Sequence, residues 1–337
     1  MEDRSRLKSD VPVLRPRRRF RLKPVRWLRQ NGALVGMLTV FAVIAILRPT
    51  FLSPNNLLNV LTQSTVLIVM ALGLTVTMAM RGVDLSVAQV ADASGVLAAA
   101  LVLAGQPIWL VFVMPLAFGV LVGGANALMV AYLGVPAIIG TLGMMFIIRG
   151  GELIFSNGAQ PQILFTLPAA ITKPFFYLGQ GEVKGIPVSI LLTTVLIAIL
   201  LVISFRSSLG RKMEAVGGNA RAAFLSGINI RTTFGWGFVI SSAFAAIAGV
   251  ILVSRAGIAA PRGAEVYLLD SFVAVFLGTI ISPRRNFSLP GTIGGAIFVS
   301  YLGNGLTLLG LGAPVRYLVY GIAIIAAIAI NRIRQDA

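Results

Sequence analysis

Apolar residues run along this chain in long blocks, and polar residues are largely confined to the gaps between them. The blocks fall at about 30–47, 62–80, 88–105, 108–133, 137–155, 188–205, 233–254, 268–281, 291–309 and 314–331. Most are long enough to cross a hydrocarbon slab ~30 Å thick as a helix. The pattern therefore predicts an all-α membrane protein of about ten transmembrane helices. The gaps carry the breakers and the charge: RPTFLSPNN after the first block, RGVDLS after the second, a long polar connection over 156–187, and a basic loop over 206–231.

Ten crossings put both termini on one face. Placing that face in the cytoplasm leaves 21 Lys/Arg inside, six outside and Arg149 within a span, the asymmetry that orients membrane proteins. Spans two to five then start outside and spans seven to ten inside. Two such sets of four read as inverted repeats, an architecture that moves solutes. Residues 1–30 hold 11 Lys/Arg around RPRRRFRLK, which reads as a retained basic cytoplasmic tail facing anionic lipid, with the transmembrane body over 31–337. A nucleic-acid partner is not expected, since it calls for a folded basic domain.

Composition agrees and removes several classes. The chain is 57% apolar and 12% charged, with a mean hydropathy of +0.91, far from a soluble domain's profile. With no Cys and no His, the usual zinc, haem and iron–sulfur ligand sets and any His-based triad are excluded, and no cofactor is expected. There is no G-x-x-x-x-G-K-[ST] loop, so any ATP hydrolysis belongs to another chain and this one is not an enzyme by itself.

Two stretches carry candidate chemistry. LGRKMEAVGGNARAAFLSGI at 209–228 is polar within an apolar chain. Asn219 is placed to N-cap a short helix from Ala220, and Gly227 to end it. It reads either as a plain surface loop or as a docking element. VTMAMRGVDLSVAQVADASGV at 76–96 places Ser86 and Gln89 at capping-box spacing, with Asp84 just before the helix start. That too has two readings, a capped helix start or a binding role. Asp92 lies six residues beyond Ser86, about 9 Å deeper along the helix. A carboxylate that deep costs ~2.5–3.5 kcal/mol, so it must be neutralised, paired or wet. A buried pair with Arg81 or Arg149 is one solution, and facing a solute pathway beside Gln89 is the other.

The 209–228 pattern, GR-x-x-x-A-x-GGN-x-x-AA-x-x-SGI, resembles the cytoplasmic coupling segment of ribose-type permeases, the membrane subunits of bacterial ABC sugar importers. VDLSV at 83–87 resembles the same family's G-G-x-D-L-S-V-G signature, with Arg81 and Ala88 standing where glycines are usual. NALMVAYLGVPAIIGTLG and LLDSFVAVFLGT, containing Asn126 and Asp270, are similar to two further family segments, whereas 282–292 lacks most of the expected glycines. The resemblance covers about residues 50–330. It implies a permease subunit passing a monosaccharide, polyol or related hydroxylated solute across the bacterial cytoplasmic membrane. The implied partners are a cytoplasmic ATP-binding subunit, a periplasmic solute-binding protein and a second permease copy or paralogue. It would place ATPase coupling on Gly217, Gly218, Asn219, Ala222, Ala223, Ser226 and Gly227. The translocation pathway would involve Asp84, Ser86, Gln89, Asn126 and, as a departure from the family, which usually has a small apolar residue there, Asp92. The rival function is an ion-coupled secondary transporter using Asp92 as an intramembrane carboxylate.

Overall fold

The computed structural model describes residues 23–158, 160–282 and 287–335. Most of the basic tail, with Arg284 and Arg285, falls outside them. The chain is helical nearly throughout. The first half holds α1 (Lys23–Leu47), α2 (Pro54–Ala79), α3 (Val87–Leu103), α4 (Ile108–Ala127) and α5 (Ala137–Phe155). Then come α6 (Ala169–Gln180), α7 (Val188–Arg206), α8 (Ser208–Gly218) and α9 (Ala220–Leu225). The last part holds α10 (Ile230–Ala256), α11 (Glu265–Ile281), α12 (Leu289–Leu308) and α13 (Ala313–Gln335). Each of the ten apolar blocks lies largely within one of these helices. Among the described residues, five helical stretches are long and apolar enough by themselves to cross a membrane: Pro54–Ala79, Ile108–Tyr132, Ala137–Phe155, Val188–Arg206 and Ile230–Ala256.

Helix ends follow local chemistry where the sequence supplies it. Ser53 caps α2 by accepting from Asn56 N, with Pro54 at the first helical position, where its missing N–H is not needed. Asn229 caps α10 through Thr232 N, and Ser288 caps α12 through Gly291 N.

α2 and α10 form the centre and pack on each other. α10 also packs on α3 and α4, while α11 and α12 pair and lean on α2. The core is built of small and branched side chains from these helices, among them Val66, Met70, Leu74, Ala245, Ala248 and Ile251. Close approach rests on missing side chains: a Cβ on Gly249 would lie 1.9 Å from the Ala91 carbonyl oxygen, so α10 and α3 meet backbone to backbone. α4, α5 and α7 sit at the periphery and expose large apolar side chains, including Leu121, Ile147, Ile154 and Val202. With no water to drive helices together inside a bilayer, such side chains face lipid or another chain.

The 156–187 connection is more ordered than its polarity suggests. It contains α6 and three two-residue strands, β1 (Gln162–Ile163), β2 (Glu182–Val183) and β3 (Ile186–Pro187). β2 and β3 pair with each other, while β1 pairs antiparallel with β4 (Ile258–Ala259), just after α10. Gln180 Nε2 donates to the Arg255 carbonyl at 3.1 Å, and Phe175 is fully buried, so this segment caps one end of α10.

Candidate functional site

Polar groups gather at three places in the fold, and the first is the α8–α9 pair. Ser207 starts α8 by accepting from Gly210 N at 3.0 Å. The helix buries Met213 and Val216 and exposes Arg211 and Lys212. The sequence suggested only the second short helix; α8 arises because the apolar positions 213 and 216 are three residues apart and find the bundle. Gly217 fixes where α8 sits. A Cβ there would lie 2.1 Å from the Ala79 carbonyl oxygen at the end of α2, whereas neighbouring Gly218 has nothing within 4 Å.

Asn219 caps α9 as the sequence indicates, accepting from Ala222 N at 3.0 Å. Gly227 adopts φ +80, Ile228 N donates to Ala223 O and Gly227 N to Phe224 O, the closing pattern of a left-handed C-cap. Ser226 Oγ donates to Ala222 O at 3.0 Å. Ala223 is turned inward and buried, so of the seven coupling candidates it and Gly217 serve packing toward the bundle. The sequence reading missed Phe224 and Leu225, which stand 59% and 73% exposed on this short helix. Their signal was an apolar pair inside an otherwise polar loop. With Arg206, Arg211, Lys212, Arg221 and Arg231 exposed on and beside α8–α9, the surface is an apolar knob in a basic collar.

The second place is the break between α2 and α3. α2 closes with the same hydrogen bonds as α9, Gly82 N to Thr77 O and Arg81 N to Met78 O, but here Arg81 holds the left-handed position, at φ +65. Asp84, Ser86 and Asn126 come together and are fully buried. Asp84 Oδ1 accepts from Ser86 N at 3.0 Å and from Ser86 Oγ at 2.6 Å, and Asn126 Nδ2 donates to Ser86 Oγ at 2.9 Å. Thr141 of α5 accepts from Leu85 N at 3.1 Å. α3 does start after Ser86, yet the capping box is not formed. Ser86 spends its hydroxyl proton on Asp84, and the Gln89 side chain donates to Glu152 on α5 instead of reaching back to the cap.

The third place surrounds Asp92. Its Oδ1 accepts from Ala264 N at 2.7 Å, so the carboxylate meets the start of α11, where a negative charge is favoured. The pairing with Arg81 or Arg149, one of the two solutions open in the sequence, is not made. Arg149 bonds Glu265 instead, and Arg81 is exposed at the break. Asp92 and Glu152 are each 5% exposed, and Asp92 Oδ2 and Glu152 Oε1 lack hydrogen-bond partners. Glu152 was not anticipated, although a lone glutamate in an apolar span is itself a signal. Gln89, Asp92, Glu152, Arg149 and Glu265 thus join α3, α5 and α11 in one polar cluster.

A helical bundle with lipid-suited flanks, buried polar clusters and a basic surface pair of short helices defines a multi-pass membrane protein. Residues 56–328 match the family described as "Branched-chain amino acid transport system / permease component", and the chain belongs to it. Among similar proteins are the ribose import permease protein RbsC of Haemophilus influenzae, 32% identical over 90% of this chain and 93% of its own length, and that of Escherichia coli K12, 31% identical over 92% and 95%. The galactose/methyl galactoside import permease protein MglC of Salmonella typhimurium is 30% identical over 91% of this chain and 95% of its own. No solved structure matches the chain. Neither family nor relatives support the ion-coupled alternative.

Proposed function

We propose that this chain is the membrane-spanning subunit of an ATP-binding cassette importer for a monosaccharide or a related hydroxylated solute. The observation that carries the reading is similarity to sugar import permeases over at least nine-tenths of the chain. In this reading the ten apolar blocks all cross the bilayer, both termini are cytoplasmic, and spans two to five and seven to ten form inverted sets. The chain acts with a second permease copy or paralogue, and a periplasmic solute-binding protein delivers solute to the face capped by α6.

A cytoplasmic ATPase docks on α8–α9. Phe224 and Leu225 enter an apolar groove of the ATPase while the basic collar meets acidic groups around it, an apolar anchor within a polar rim. Because Gly217 seats α8 directly on the end of α2, displacement of the docked pair is passed to a central helix and not absorbed by a loose loop. The two bundles then rock between outward and inward openings. Gln89, Asp92 and Glu152 border the solute route, where weak polar contacts suffice for passing a hydroxylated solute onward.

The test is reconstitution with the ATPase and solute-binding protein in vesicles, measuring uptake of labelled monosaccharides and branched-chain amino acids. ATP-dependent sugar uptake is expected, and Phe224→Ser with Leu225→Ser should lower both uptake and co-purified ATPase at unchanged permease abundance. Uptake of amino acids alone refutes the substrate class. Uptake driven by a proton gradient without ATP refutes the importer.

A further inference from the structure

We infer that the α2–α3 break is a binding site for one small monovalent cation, held by Asp84 and Asn126 with the Ser241 hydroxyl beside them. The first ground is charge. Asp84 is 0% exposed, neither the Arg149–Glu265 nor the Arg262–Glu265 ion pair involves it, and no charged side chain acts on it, so no basic group balances it. The side chains bonded or turned to it are the hydroxyls of Ser86 and Ser241, both neutral. Burying an unbalanced carboxylate costs several kcal/mol even after relaxation. A water molecule placed there satisfies hydrogen bonds but leaves the charge.

The second ground is a count of protons, which fixes the orientation of Ser86 and Asn126. Ser86 has one hydroxyl proton and gives it to Asp84 Oδ1. Its oxygen can therefore only accept from Asn126, which turns the Asn126 Nδ2 toward Ser86 and leaves Oδ1 as the free end of the amide. Asn126 Oδ1 is then a fully buried acceptor without a donor, and Asp84 Oδ2 has at most the neutral Ser241 hydroxyl, which leaves its charge unbalanced. Ser241 of α10 turns its hydroxyl to the carboxylate, and with its proton directed there its oxygen still offers lone pairs to a cation. The unmet groups of this network share one need, a positive partner.

Backbone geometry agrees. α2 ends at Ala79, 82–86 is non-helical and buried or half-buried, and α4 changes to a π-helical turn at Leu128–Tyr132, two positions beyond Asn126. Irregular backbone inside a membrane protein survives where protein or a ligand satisfies it, and π turns gather at functional sites. One carboxylate with neutral oxygens suits a singly charged hard cation. Among the described residues no group of three or more Asp, Glu, His or Cys is assembled that would favour a multivalent metal. This ion is a fixed part of the fold and is not moved with solute, so the inference stands apart from the transport reading and from Asp92.

The test is thermal unfolding of the purified chain at constant pH and ionic strength, with sodium, potassium or lithium replacing choline. A saturable rise in the midpoint of about 2–8 °C with at least one alkali cation is expected. Asp84→Asn should lose the response, and Asn126→Ala should weaken the half-saturating concentration about tenfold. Equal midpoints in all four salts overturn the inference, as does a response that survives in Asp84→Asn. If Asp84→Asn does not fold, an unchanged response in both Asn126→Ala and Ser241→Ala overturns it. Stability that rises only with acid, independent of cation, assigns a proton shared by Asp84 Oδ2 and equally overturns it.

Discussion

Two adjacent glycines allow the seating of α8 on α2 to be tested with an internal control. In Gly217→Ala the new Cβ falls 2.1 Å from the Ala79 carbonyl oxygen, a backbone atom that cannot rotate away. Ordinary contact begins near 3.4 Å, so α8 must withdraw by more than 1 Å or α2 must unwind at its end. Overpacking of this kind costs ~1–3 kcal/mol. If that falls on the seated arrangement, its population relative to a displaced one drops about 5- to 150-fold. Gly218→Ala adds the same methyl one residue on, where nothing lies within 4 Å. Membrane abundance, co-purified ATPase and ATP-dependent uptake should be measured for both. Gly217→Ala is expected to keep ATPase bound through Phe224 and Leu225 while losing most uptake, and Gly218→Ala to match wild type in all three. Full uptake in Gly217→Ala, or equal losses in the two variants, refutes the claim that this contact transmits motion.

Arg81→Gly should stabilise the chain by ~1 kcal/mol, seen as a higher unfolding midpoint, because glycine occupies φ +65 without the steric cost an arginine bears; a lower midpoint counts against that account. At Asp92, the asparagine variant keeps an acceptor for Ala264 N and should stay near wild type in stability. Asp92→Ala leaves that amide unpaired and should cost ~1–3 kcal/mol; equal midpoints for Asn and Ala would show the contact to be idle. For topology, Glu182→Cys should label from outside and Arg221→Cys only from inside in a chain with no native cysteine. Labelling of both positions from one face rules out the proposed orientation.

What the sequence determined by itself is what short-range physics controls. Hydropathy located the apolar helices, because a backbone in lipid has to satisfy its own hydrogen bonds and does so within a continuous segment. Asn219 and Gly227 were legible as the two ends of α9 because each acts on backbone groups a few residues away. Ser86 and Gln89 were legible as a helix start but misleading as a capping box. Their stronger partners, Asp84 with Asn126 and Glu152, include residues 40 and 63 positions further along the chain, which no local spacing encodes. Asp92 shows the same limit: its charge at depth announced a partner, and folding selected the Ala264 amide, 172 residues away, over either arginine. Gly217 and Gly218 look alike in the sequence, and only the approach of α2 makes one of them irreplaceable. Side-chain identity thus set what each position needed, and tertiary packing chose which distant group met the need, since contacts between helices depend on the docked bundle and leave no periodic trace along the chain.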